Sequence, residues 1–582
     1  MNQNPFYFIA KLVAPPYRIR GFLITLGLAL GSLLDLISLA SFFPILLLIV
    51  HQDQSESHWL ISYVYQVTHF KNASTLGIAL ILVVVFASVI KTIYQIWVTH
   101  LKARFAYDIS TELADRALTN YLQSSYWKFT VTDHSREINK ISNFPLTFAN
   151  NIIIPVGTLF SELLLLLLLI LAVAVYNLQI LFWLLAIITT SLLLYHFNRG
   201  RIKKISDQIK ETYPTLLKFT MESVEGWPEI KSFGKENFFK KKFRNQFEKL
   251  GTIFSKDHTL HTNTSRVTEL VAVFGVAVLI AFVLLNTNTP GDSIIALGIY
   301  IGVGFRAIPS VNRIFASWLR IKSNEYVLSE LNALGQPMDA ITEVPSDVFR
   351  FNESIKLIDI SFTQPDGAII FNNLSLTIKK NERILIKGPS GSGKTTLLLL
   401  MMRLIKEQSG EVRIDDEILS LEKEGAWLGK IGYVPQSPYM LDATIQENIA
   451  FGVLKTNIDI DKVNRLISDL GLRDWVDKLK DGINSVIGER GVKVSGGQRQ
   501  RLAIARVLYH DAEILLLDEI TNQLDPITEL EIINVLGLLS KKGKTLVVIS
   551  HHHNPKGNYD TVYELNAGVL VKAENFNRTE NR

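Results

Sequence analysis

Six apolar stretches crowd into the first 320 residues, at 21–50, 74–98, 151–175, 178–196, 267–286 and 293–319. Each is close to or above the about 20 residues that a helix needs to cross a bilayer, and nothing else in the sequence narrows the fold as much. The 582-residue chain is 48% hydrophobic, with a mean hydropathy of +0.21, too apolar for an ordinary soluble enzyme. The excess sits in these stretches, while the remainder reads as a charged globular sequence. The expected fold class is a multi-domain membrane protein: an N-terminal six-helix, all-α transmembrane domain followed by a C-terminal domain in water. The first stretch has no small-residue cleavage site and is followed by further spans, so it reads as an anchor rather than a removable signal.

Loop charges set the orientation. Spans three and four are separated only by Tyr176 and Asn177, and five and six by the polar loop 287–292, and neither loop carries Lys or Arg. The longer segments 99–150 and 197–266 carry Lys102, Arg104, Arg116, Lys128, Arg199, Arg201, Lys203 and Lys204. The positive-inside rule then places both long segments, the N-terminus and the C-terminal half in the cytoplasm. Phe105, Ile109, Leu113, Leu118, Tyr121 and Leu122 recur at helical spacing, which predicts long cytoplasmic helical extensions rather than loops. Residues 1–14 suit an interfacial helix ended by Pro15 and Pro16. The expected division is an interfacial segment at 1–20, a transmembrane domain at 21–325, a linker at 326–350, an α/β domain at 351–575 that carries the chemistry read below, and a tail at 576–582. A net charge of +5 argues for no nucleic-acid partner. The absence of cysteine excludes disulfides, thiol catalysis, Cys-based metal sites and an N-terminal cysteine-protease domain.

The C-terminal half holds the chemistry. In "RILIKGPSGSGKTTLLLL" a β-type run meets Gly388, then Pro389, Ser390, Gly391 and Ser392, then Gly393, Lys394, Thr395 and Thr396 at the head of a helix-like run. This is a P-loop in its required context: backbone N–H groups wrap the phosphates of ATP, Lys394 supplies a point charge, and the Thr395 hydroxyl suits Mg²⁺. In "AEILLLDEI" a buried strand ends in two carboxylates; Asp518 suits the magnesium shell and Glu519 is placed to polarise an attacking water. In "VSGGQRQRLAIARVL", Ser495, Gly496, Gly497 and Gln498 open a helix whose N–H groups and dipole form another anion site.

That last motif resembles the signature of the ATP-binding cassette (ABC) family, and the resemblance covers essentially the whole chain, of the type I exporter kind. It implies that Gln436 in "GYVPQSPYM" is the Q-loop glutamine that senses magnesium, Asp525 in "TNQLD" the D-loop aspartate, His551 in "VVISH" the switch histidine at the γ-phosphate, and "GERG" at 488–491 the loop typical of exporters. It also implies that Ser495 and its glycines complete the ATP site of an opposite subunit, so that one cassette and six spans form half of a homodimer. Two positions depart from the family. Gln364 stands where a tyrosine usually stacks on adenine, with Phe362 as a possible substitute if the strand register turns its ring that way, and Asn522 and Gln523 replace the common Ser-Ala pair. The run His551, His552, His553 is read as a switch histidine followed by two surface histidines rather than a metal site, because adjacent side chains diverge.

Two arginines in the sixth stretch need a reason. At about 1.5 Å per residue from the outside, Arg306 lies about 20 Å down and Arg313 about 30 Å, on one helix face. A lipid-facing arginine at mid-depth costs at least about 2.5 kcal/mol, so Arg306 is expected to face a water-filled cavity or to pair with Asp35 or Glu162, and Arg313 to act in the cavity or to snorkel to the inner interface. The stretches "FRAIPSVNRI" at 305–314, "ISLASFFPIL" at 37–46 and "ESVEGWPEIKSFGKE" at 222–236 look similar to bacterial lipid-linked oligosaccharide flippases that serve protein N-glycosylation. That resemblance implies a polyprenyl-pyrophosphate glycan as substrate, with Arg306, Arg313 and Asp35 at its site, membrane lipids as surroundings and the cytoplasmic membrane of a bacterium as location. Two other readings stay open: an exporter of another lipid, drug or peptide, and a non-transporting regulator with weak ATPase.

Overall fold

The computed structural model describes residues 12–13, 15–42, 44–45, 73–176, 178–286, 290–333, 350–488, 491–522, 524–550 and 559–573. The chain divides into two compact units, Met1–Ser124 with Phe129–Met338, and Ser125–Lys128 with Asp339–Arg582.

Among the described residues, the first unit is built from helices. Its long members are α1 (Pro15–Ala40), α2 (Ala73–Leu122), α3 (His134–Phe148), α4 (Ile154–Tyr176), α5 (Leu178–Glu225), α6 (Glu236–Asn286) and α7 (Pro290–Ser323), followed by the short α8 (Glu325–Asn332). Among the described residues, three helical stretches are long and apolar enough to cross a membrane: Pro15–Ala40, Thr75–Leu122 and His134–Ala174. The predicted spans at 178–196, 267–286 and 293–319 fall on α5, α6 and α7. Helices α2, α5 and α6 contain 50, 48 and 51 residues, about twice the length that a membrane crossing requires. The predicted interfacial helix falls mostly outside the described residues; Pro15 and Pro16 open α1, where proline's missing N–H costs nothing.

Polar side chains tie the apolar helices together. Tyr94 on α2 donates to the Gly27 carbonyl on α1 at 2.9 Å, and Ser32 on α1 donates to the Ser161 carbonyl on α4 at 2.9 Å. In an apolar medium such bonds have no water to compete with them. Between α3 and α4 the helix widens into a π turn at Ala149–Ile153. Tyr107 on α2 donates to Asn150 within this turn at 2.7 Å, the kind of local irregularity that often marks a functional position.

The second unit is built on two sheets. Strands β1 (Ser354–Thr363), β2 (Ile369–Lys379), β4 (Ser409–Ile414) and β5 (Glu417–Ile418) form an antiparallel sheet in the order β2-β1-β4-β5. Strands β3 (Arg383–Lys387), β6 (Ile431–Val434), β7 (Ile514–Asp518), β8 (Thr545–Ser550), β9 (Thr561–Asn566) and β10 (Val569–Lys572) form the other, in the order β10-β9-β3-β8-β7-β6. The second sheet is parallel apart from β10. Its central strands bury both faces: Leu515 and Leu517 of β7 pack into one core, Ile514 and Leu516 into the other, and β8 alternates in the same way. This is why these strands read as continuous apolar runs. Three helices matter for the site: α9 (Lys394–Met401) after β3, α10 (Gly496–Tyr509) before β7, and α11 (Pro526–Lys541) after it.

Candidate functional site

The P-loop joins the end of β3 to the start of α9, at the C-terminal edge of the parallel sheet, where α/β folds bind ligands. Two glycines are required by space and conformation. A Cβ on Gly388 would lie 2.2 Å from the Leu565 carbonyl oxygen, and Gly393 holds φ +99° with a Cβ position only 2.8 Å from Ile370. Lys394 donates to the carbonyls of Gly388 and Pro389 at 3.0 and 2.8 Å, folding its ammonium over the loop. Burial lowers its pKa, against the pull of the Glu519 and Asp518 charges.

Asp518 ends β7, is 5% exposed, and accepts the Thr395 hydroxyl at 3.0 Å. Tyr433 at the end of β6 reaches the same carboxylate oxygen at 3.4 Å. Burial, together with the neighbouring Glu519 charge, pushes the Asp518 carboxyl above its ordinary value, against the hydrogen bonds from Thr395 and Tyr433. Glu519 follows with φ +51° and places one carboxylate oxygen 3.9 Å from the Lys394 ammonium. Sequence reading foresaw Lys394, Thr395, Asp518 and Glu519, and the fold brings these four together. It missed Tyr433, although that residue lies within the stretch quoted around Gln436.

These residues fit a nucleotide triphosphate and a divalent cation. The Ser392 hydroxyl is buried with no hydrogen-bond partner among the described residues, the glycine cradle is too tight for side chains, and a hydroxyl and a carboxylate converge as hard oxygen donors for Mg²⁺. Among the described residues there is no cluster of three or more His, Asp or Glu suited to a metal held by side chains alone.

A second cluster holds the signature and D-loop residues. Ser495 caps α10: its hydroxyl accepts from the Gln498 N–H at 3.3 Å while Gln498 accepts from the Ser495 N–H at 2.9 Å. Gly496 is exposed, and a Cβ on Gly497 would meet Thr528 at 2.2 Å. Thr528 in turn donates to Asp525 at 2.6 Å, and Asp525 caps α11 through the N–H groups of Ile527 and Thr528. Gln436 is exposed, with its carbonyl held by Gln500 at 2.8 Å. His551, His552, His553, Gln523, Glu489 and Arg490 lie outside the described residues.

One expectation is corrected. Phe362 is 3% exposed and belongs to the core between the sheets, and within the second unit its ring is stacked on Trp127 at 6.0 Å. It cannot take over an adenine contact at position 364. Gln364 itself follows β1 in the turn to β2, its N–H donating to the Ala368 carbonyl at 2.8 Å.

The first unit contains a cavity of about 350 Å³ lined by Asp35, Lys102, Glu162, Arg306 and Arg313 among others. Arg306 donates to Asp35, and Lys91 lies 3.1 Å from the other oxygen of Asp35. Arg313 grips Glu162 with two bonds, at 2.6 and 3.2 Å. Of the two partners expected for Arg306, Asp35 is the one it takes; Glu162 goes to Arg313, which pairs inward instead of snorkelling. The Arg306 Nε is buried without a hydrogen-bond partner among the described residues. Sequence reading missed Lys91 and Lys102 as members of this cluster, although Lys91 stands alone in the apolar run 74–98 and was in plain view.

Comparison with known proteins agrees with this architecture. Residues 371–522 match the family described as ABC transporter, and residues 22–302 match the ABC transporter transmembrane region. The ATP-dependent permease MDL1 of Candida albicans is 29% identical over 407 residues, 66% of this chain and 57% of that protein. The ATP-dependent lipid A-core flippase of Ralstonia nicotianae is 39% identical over 210 residues, 36% of this chain and 35% of that protein. The ATP-dependent lipid A-core flippase of Saccharophagus degradans is 29% identical over 380 residues, 64% of this chain and 63% of that protein. The chain thus spans between 35% and 63% of the length of these relatives. A solved structure of a bacterial Atm1-family ABC exporter with ATP bound superposes with a TM-score of 0.74 at 18% identity, covering 95% of this chain and 94% of that one, which shows the type I exporter fold. With a membrane region and an ATP-binding cassette both matched on one chain, the protein belongs to the ABC transporter family and has the type I exporter fold.

Proposed function

We propose that this chain works as a homodimer that hydrolyses ATP to move an amphipathic molecule with an anionic headgroup across the cytoplasmic membrane of a bacterium. The substrate class favoured is a polyprenyl-pyrophosphate glycan. In the cassette, Lys394 and the P-loop amides would hold the phosphates, with Thr395, Asp518 and Gln436 as ligands for Mg²⁺. The cation supplies charge neutralisation at the phosphates when bound. Glu519 would polarise the attacking water, and His551 would contact the γ-phosphate. Ser495, Gly496, Gly497, Gln498 and Asp525 would complete the site of the other copy.

The observation that carries the substrate reading is the charged cavity. Lys102, Arg306 and Arg313 line it together with Asp35 and Glu162, and Lys91 joins the cluster through Asp35; among the described residues these four cations and two carboxylates leave a formal excess of two positive charges, which suits a doubly charged pyrophosphate. The spare Nε of Arg306 offers a donor from a planar fork well matched to such oxygens. The relatives named lipid A-core flippases favour a second reading, a phosphorylated glycolipid, with the same headgroup chemistry.

The test uses the full chain reconstituted in liposomes, with a polyprenyl-pyrophosphate glycan, a lipid A and a neutral glycolipid offered separately. Stimulated hydrolysis and flipping are expected for the first and not for the last. Arg306→Ala should leave basal hydrolysis near wild type while stimulation falls by about tenfold or more, the worth of one charge-assisted contact. A stable variant that still flips at the wild-type rate removes Arg306 from the substrate site, and a loss of melting temperature without a change in flipping assigns it to structure alone.

A further inference from the structure

We propose that Asn522 is a positioning residue that sets the orientation of the Glu519 carboxylate, an inference that rests on the reading of the cassette as an ATP hydrolase. The position departs from the family, and the structure shows what the departure does. Strand β7 delivers Asp518 and then turns sharply: Glu519 adopts φ +51°, a left-handed conformation that side-chain-bearing residues rarely take. Its own N–H is tied to the Ile549 carbonyl at 3.2 Å, and the N–H of Asn522 closes the turn on the Glu519 carbonyl at 3.1 Å. This brings the Asn522 side chain back over the residue it follows by three. Its amide donates to Glu519 Oε2 at 2.8 Å, while Oε1 faces Lys394 at 3.9 Å.

The two contacts act on different oxygens and do different work. A long-range attraction to the lysine sets no angle, because an ammonium is a point charge. A hydrogen bond at 2.8 Å from an amide whose backbone is held in a tight turn sets both distance and direction. Glutamate has three rotatable side-chain bonds, and a carboxylate that must polarise one particular water needs its rotamer fixed by a neighbour. Asn522 reaches because the turn returns its Cβ to the carboxylate; a serine there ends a bond short and also lacks the second donor. The amide further ties the carboxylate to the residue three positions before Asp525, the cap of α11.

The test measures MgATP hydrolysis and nucleotide binding by the full chain in lipid, for wild type and for Asn522→Asp, Asn522→Ala, Asn522→Ser, Glu519→Gln and the Glu519→Gln/Asn522→Asp double variant. Aspartate keeps the shape of asparagine, loses the donor and sets a like charge against the Glu519 carboxylate, whereas alanine removes the donor alone. The expected result is a kcat reduced by about tenfold in Asn522→Asp and Asn522→Ala, with KM and nucleotide affinity within about twofold of wild type and partial recovery in Asn522→Ser. Because Asn522 acts through Glu519, the double variant should be no slower than Glu519→Gln alone. The proposal is overturned if Asn522→Asp hydrolyses at the wild-type rate, if KM moves with kcat, or if the losses add in the double variant. A wild-type protein that binds ATP and does not hydrolyse it overturns the hydrolase reading, and the proposal with it; where the wild type is active, the Asn522 variants alone decide whether the proposal stands.

Discussion

Glu519 concentrates most of the proposed chemistry in one carboxylate, half-buried beside Lys394 and Asp518. Glu519→Gln keeps the shape and removes the charge, so ATP should bind at close to wild-type affinity while hydrolysis falls by about 10²-fold or more. Uncleaved nucleotide should then hold paired cassettes together, seen as a slower ATP off-rate, and near-normal turnover would take Glu519 out of its role. Gln364 is the other single residue that matters here. With Phe362 turned into the core, β1 does not supply the ring that the family resemblance expects at this position. Aromatic stacking on a base is worth about 1–3 kcal/mol, so Gln364→Tyr should tighten ATP binding and lower KM, whereas an unchanged KM would mean that another ring already covers the base. At this scale the sequence was most legible where function is local. The P-loop and the Asp-Glu pair sit in a fixed order beside recognisable strands. Phe362 was not legible, because its ring direction depends on register irregularities between β1 and β2 that no pattern of residue types records.

Elements were readable in proportion to how regularly they are buried. The apolar runs of β3, β7 and β8 announce strands covered on both faces, and α2 carries helical spacing from Phe105 to Leu122. What joins elements was much less visible. Arg306 and Asp35 are 271 residues apart in sequence, and Arg313 and Glu162 are 151 apart; composition says that such charges need partners, not which partner each takes. Asp415 is a similar case in the second unit. It lies in the turn between β4 and β5 and accepts N–H bonds from Asn352, Glu353 and Ser354, fixing the start of β1. Burial alone would raise its carboxyl, but those three backbone donors outweigh it and hold the group below the ordinary aspartate value of about 3.9. A depressed folded pKa gives stability that is present above the unfolded value and lost as pH falls through the folded one. Asp415→Asn tolerates the left-handed φ of +49° and removes the charge together with one of the two accepting oxygens. It should cost about 1 kcal/mol of stability at pH 7, and the gap in melting temperature from wild type should close as pH drops below about 4. A gap that stays constant down to about pH 3 would mean the charge is not what holds the turn.

For the whole molecule, the division into a membrane unit and a nucleotide unit was legible from hydropathy alone, because lipid and water select different compositions. The dimer was read only through the family resemblance of the signature segment, not from the chemistry of its residues. The signature residues Ser495–Gln498 spend one hydroxyl and two N–H groups on their own helix cap, yet Gly496 is exposed at the helix start, where aligned N–H groups favour an anion. If two copies face each other, that end of α10 meets the P-loop of the partner, and each site borrows from both chains. Complementation between two dead variants tests this. Lys394→Ala disables the P-loop, and Gly496→Asp puts a negative charge where the phosphate of the other chain must lie, while suiting the helix N-terminus and so sparing the fold. Each homodimer has two defective sites and should be inactive. A mixed dimer has one site with both defects and one with neither. Random mixing makes half of the dimers mixed, so about a quarter of wild-type hydrolysis should return when the two are co-expressed. Mixed dimers isolated through two different affinity tags should reach about half. Mixed dimers as inactive as their parents would show that each chain builds its nucleotide site from its own residues, and the homodimer proposal would lose its functional basis.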